Sequence, residues 1–129
     1  MYIFITLDVY LKALIYAIGI TGDTHSRWNG FYNEKLKEIN PDIIHEAWQT
    51  GSSKKITRLA FQLYTNGVAT AYEDNKEDFN ECTQYSVSDI FCCSFAPFFV
   101  EAIKLRYPEY FTTRKVYNET KFMRETMSE

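Results

Sequence analysis

Apolar residues recur three and four positions apart along most of this chain, and glycine or proline cuts each run before it reaches twenty residues. That pattern confines the chain to short helices, each burying one stripe against its neighbours. Phe4, Leu7, Leu11, Leu14, Ile15 and Ile18 form the first stripe, with Asp8 and Lys12 as an i,i+4 pair and Gly19 and Gly22 as the stop. Asp23 or Thr24 then caps a short helix through Trp28, which Asn29-Gly30 ends. The stretch 31–39 is mixed, with Tyr32 and Leu36 reaching for the core.

Asn40-Pro41-Asp42 is the clearest start signal: an N-cap residue, proline in the first helical position and an acid in the first turn. The helix predicted from it carries Ile43, Ile44, Ala47 and Trp48 and ends near Thr50-Gly51. Ser52 or Ser53 caps the next helix, striped by Ile56, Leu59, Ala60 and Leu63 and closed by Asn66-Gly67. Residues 69–85 read as the one long loop. Ser86 and Asp89 then form a capping pair, and a last helix runs from Pro97 to Arg106 until Pro108 ends it. Apolar side chains cover most of that helix's girth, which places it centrally. The predicted fold is therefore all-α: a compact single-domain bundle of about five or six helices over residues 1–111. Residues 112–129 follow as a charged tail or appended helix, with Val116, Met123 and Met127 scattered through it.

A chain of 129 residues that is 46% hydrophobic and 17% aromatic can build a core without disulfides or metal. Net charge is −3, which disfavours non-specific binding to nucleic acid phosphates. Cys82, Cys92 and Cys93 make an odd count without framework spacing, so they read as reduced thiols, the last two as small buried hydrophobes. No basic leader with a cleavage site precedes the first helix, and the apolar run 13–20 is too short to span a bilayer. The expected compartment is the cytoplasm, without membrane association.

Known chemistries fail on spacing. His45-Glu46 opens a zinc-protease word, but Gln49 stands where the second histidine belongs. No C-x-x-C pair, phosphate loop, dinucleotide fingerprint or nucleophile elbow is present. A dyad of Cys92 or Cys93 with His45 has nothing in its spacing to recommend it. No catalytic residue, metal ligand or cofactor is assigned.

One segment does invite a ligand. After Trp48 a glycine turn leads into a helix opening with Ser52, Ser53, Lys54 and Lys55, with Arg58 one turn on. Backbone N–H groups at a helix start attract anions, so these residues suggest a phosphate-containing small ligand, a phosphorylated compound or a nucleotide, with Trp48 as a flat wall. The plain alternative makes serine a cap, leaves the lysines in solvent, pairs Arg58 with Glu46 or Asp42 and puts Trp48 in the core. The segment also has helix-turn-helix geometry, but Glu46 and Thr57 fall where that motif buries aliphatics. A second candidate surface is acidic: Glu73, Asp74, Glu77, Asp78 and Glu81 against a single Lys76. Such a run is either a solvated loop or a face offered to a basic protein partner.

Trp48 to Ser53, Thr57 to Phe61, Ser88 to Phe91, Ala96 to Phe99 and Glu101 to Pro108 together resemble a family of small proteins defined as a domain of unknown function. The family occurs in Firmicutes genomes, often in phage or other mobile-element regions, and the likeness runs from about Leu7 to Phe111. It transfers no catalytic residues. It implies a protein that works by binding, for example by blocking a host defence system. The leading expectation is thus a non-enzymatic binder of a host protein or nucleoprotein complex, with phosphate-ligand capture and DNA regulation as alternatives.

Overall fold

The computed structural model describes residues 8–71, 78–112 and 124. Among them are seven α-helices, two 3-10 turns and one two-residue hairpin. The helices are α1 (Val9–Ile18), α2 (Gly22–His25), α3 (Trp28–Phe31), α4 (Gly51–Thr65), α5 (Asp78–Thr83), α6 (Val87–Phe91) and α7 (Ala96–Arg106). The architecture is mostly α, one compact domain. Residues 4 and 7 of the first predicted stripe and most of the predicted tail lie outside the described residues.

Helix α1 starts where Asp8 accepts a hydrogen bond from the Leu11 amide at 2.8 Å, and Gly19 closes it. Its buried face, Ala13, Leu14, Ala17 and Ile18, packs against both α4 and α7. Helix α4 is the central element. From Ser53 to Tyr64 no residue is fully exposed, and Ile56, Thr57, Leu59, Ala60, Phe61 and Leu63 are buried. The predicted centre, α7, instead buries a single stripe of Phe99, Ala102 and Arg106 and turns Phe98, Val100 and Lys104 outward. Composition alone misplaced it: an aromatic-rich helix need not be covered all round. Phe61 sits edge-on to Phe31, centroids 6.1 Å apart, and Phe91 meets Phe99 at 5.6 Å.

Other local differences have identifiable causes. Thr21, not Asp23 or Thr24, caps α2, while the Thr24 hydroxyl turns inward and donates to the Ile18 carbonyl at 2.6 Å. Asn29-Gly30 lies inside α3 instead of ending a helix. Tyr32–Asn33 then pairs antiparallel with Glu38–Ile39, a hairpin too short for alternation to reveal. Leu36, at its tip, is 65% exposed and touches no core. The Asn40-Pro41-Asp42 signal starts only a 3-10 turn, Pro41–His45, and Asn40 does not cap it; its side-chain NH2 donates to the Gly30 carbonyl instead. The predicted helix through Trp48 is therefore absent. The predicted long loop contains α5, and Cys92 is exposed where a buried thiol was predicted. Ser86 does cap α6 and Asn66 does terminate α4, in the left-handed conformation (φ 61°).

Candidate functional site

Helix α4 is capped two or three residues earlier than its serines suggest. Thr50 is the N-cap, its hydroxyl accepting from the Ser53 amide at 3.1 Å, and Ser53 answers by accepting from the Thr50 amide at 2.7 Å. The Ser53 hydroxyl donates to the Gln49 side-chain oxygen, and the Gln49 amide donates to Thr57 and to the Ile43 carbonyl. Gln49, at the failed zinc position, is thus the tie between the 3-10 turn and α4. Ser53 is buried in this box, while Thr50, Gly51 and Ser52 at the helix start are exposed.

The cations of the segment diverge. Lys55 reaches across to donate to the Asp89 carbonyl, on α6. Arg58 forms a two-pronged ion pair with Glu81 of α5, Nε donating at 2.9 Å and Nη2 at 2.8 Å. Lys54 is half-buried. Trp48 donates its indole N–H to Glu46 at 2.7 Å, and the Arg27 guanidinium lies 4.2 Å from its ring centre. That cation already covers a ring face which a base would need. The structure therefore does not gather Trp48, Ser53, Lys55 and Arg58 around one anion.

What it does gather is a member of each predicted surface. Glu81 also accepts from the Thr70 hydroxyl, and Thr70 lies 2.6 Å from the Tyr85 hydroxyl. Because the one Thr70 proton goes to Glu81, Tyr85 must donate to the Thr70 oxygen; in return the Tyr85 oxygen accepts from the Thr70 amide at 3.2 Å. Burial pushes the Glu81 carboxyl up, but Arg58 and Thr70 outweigh it and hold it below the usual carboxylate value. Burial raises the Tyr85 phenol, and its bonds to Thr70 only partly offset this. The network pins α5 onto α4. Asp78 opens α5, and Phe79 beside it is 77% exposed. Glu73, Asp74 and Glu77 lie outside the described residues.

Sequence reasoning missed a second feature. A groove of about 710 Å³ runs along α1, with Trp28, Tyr32 and Tyr64 on its walls. Their aromatic character was visible, but only the hairpin fold-back brings Tyr32 and Tyr64 to 5.7 Å. Burial, then the hydrogen bond to Tyr32, pushes the Tyr64 phenol up to about 12.

Residues 4–119 of the sequence match a family model. The chain belongs to DUF6075, a family of unknown function. No curated protein and no solved structure matches it. The DUF6075 match includes α1 to α7 and extends into the segment predicted as a tail. Among the described residues, no three His, Cys, Asp or Glu side chains are grouped to hold a metal ion, and no helix is long and apolar enough to cross a membrane.

Proposed function

We propose that this DUF6075 protein is a non-catalytic binding protein whose partner is a protein or nucleoprotein complex with a basic surface. Phe79 carries the reading. It is 77% exposed on a helix held in place by the Arg58–Glu81 pair, and acids precede it in sequence. An aromatic ring presented on a fixed support and bordered by charge has the character of an interface anchor. The groups with the most altered acidity on this side, Glu81 and Tyr85, satisfy each other's neighbours instead of facing a substrate. The sequence resemblance to mobile-element proteins favours a host defence complex as the partner and the cytoplasm as the setting.

Phosphate capture at the start of α4 is less well supported, because Arg58 and Lys55 are engaged within the chain. DNA reading by α4 meets the difficulty that a recognition helix needs an outward face, and α4 is covered along most of its length.

Co-purification from the native host tests the proposal. Tagged wild-type chain should retain a defined partner, and Phe79→Ala should reduce its yield at least tenfold. A variant with Glu73, Asp74, Glu77 and Asp78 changed to their amides should bind more weakly and with less salt dependence. Equal retention by all three proteins would remove this surface from the function.

A further inference from the structure

The groove beside α1 is separate from the α5 surface: on α4, Tyr64 lies about 120° around the helix from Arg58. Its floor is the stripe Leu11, Ile15 and Ile18, and its walls are the linked rings Trp28, Tyr32 and Tyr64. Trp28 and Tyr32 have centroids 5.4 Å apart at 30°, and Tyr32 meets Tyr64 edge-on. Two carboxylates stand in the lining, each positioned through one oxygen. Asp8 accepts from the Leu11 amide, and Glu34 accepts from the Trp28 indole at 3.1 Å. Opposing them are Lys37, an exposed residue at the hairpin turn, and His25. Asp8, Glu34 and Lys37 together carry one net negative charge.

We propose that this groove binds a small organic cation, an alkyl- or arylammonium whose apolar body rests on Leu11, Ile15 and Ile18 and whose charge meets the Trp28 and Tyr64 rings, backed by Tyr32, near Asp8 and Glu34. Three properties select that occupant. Aromatic faces present negative potential and attract an ammonium group. Two carboxylates repel an anion and complement a cation. The volume suits a molecule of metabolite size, and an apolar floor with a few placed polar groups is the usual make-up of such a site. A phosphate or carboxylate ligand would face Asp8 and Glu34 at once.

The test uses the full chain and defined probes: benzyltrimethylammonium, its neutral carbon isostere neopentylbenzene, and phenylacetate. Binding is followed by calorimetry and by the Trp28 indole N–H resonance, distinguished from that of Trp48 with a Trp48→Phe variant. The cation should bind at submillimolar concentration and shift the Trp28 signal, with the isostere and phenylacetate at least tenfold weaker. Glu34→Gln should weaken cation binding at least threefold, and Lys37→Ala should strengthen it by a similar factor. Trp28→Leu should abolish it. If that variant fails to fold, the two surface variants still decide the matter. Absence of cation binding, equal binding of the isostere, preference for phenylacetate, or weakening by Lys37→Ala would each overturn the proposal.

Discussion

The ion pair between Arg58 and Glu81 joins residues 23 apart in sequence and closes a network with Thr70 and Tyr85. Removing either charge leaves the other part-buried and unmatched, which is more damaging than losing the pair together. Arg58→Met and Glu81→Gln should each destabilise the protein by about 1–3 kcal/mol, and the double variant should lose less than their sum. Denaturant unfolding of the four proteins gives the coupling directly; strict additivity would mean the pair contributes nothing. Both residues were legible as charged candidates, Arg58 for a phosphate and Glu81 for a basic partner. Their mutual attraction was not, because periodicity reports which face a residue occupies and not which distant segment returns to meet it. Trp48 was hidden in the same way: its local context suggested an open ring, and Arg27, from another part of the chain, lies over it.

Helix ends divide along the same line. Ser86 and Asn66 were readable because a cap is chosen within a few residues of itself. The Asn40-Pro41-Asp42 signal was equally local but started only a 3-10 turn, since Gln49 fastens the following chain to α4 before a longer helix can develop. The end of α4 carries a further dependence. Arg106 of α7 donates to the Leu63 carbonyl and to the Asn66 side chain, each at 2.9 Å, and its guanidinium stacks 3.7 Å from the Tyr10 ring centre on α1. One side chain thus holds three helices and satisfies a carbonyl in the last turn of α4. Asn66→Gly should therefore not be a gain despite relieving the left-handed backbone, because it removes the acceptor for Arg106. Asn66→Ala loses the acceptor and also strains the left-handed backbone, and should destabilise the protein by about 1–3 kcal/mol relative to wild type, read from the shift in denaturant midpoint. A glycine variant clearly more stable than wild type would show that the Arg106 contact carries no weight.

For the molecule as a whole, these groups set opposite limits on the pH range of stability. Glu81 has a folded-state value below its ordinary 4.5, so its contribution is complete above that value and is lost as pH falls through the lower folded one. The phenols work in the other direction. Tyr64 rises from 10.0 to about 12 and Tyr85 rises as well, because burial favours the neutral ring. Below pH 10 both folded and unfolded chains keep these protons. Between pH 10 and about 12 the unfolded chain releases the Tyr64 proton while the folded chain retains it, so stability declines across that interval. Unfolding midpoints measured from pH 3 to pH 12 should give a plateau with a shoulder at each end. Tyr64→Phe should flatten part of the alkaline shoulder without touching the acid one, and Glu81→Gln should do the reverse. An alkaline decline unchanged in Tyr64→Phe would assign it to other groups and would mean that the Tyr32–Tyr64 wall of the groove does not hold its phenol in the neutral form.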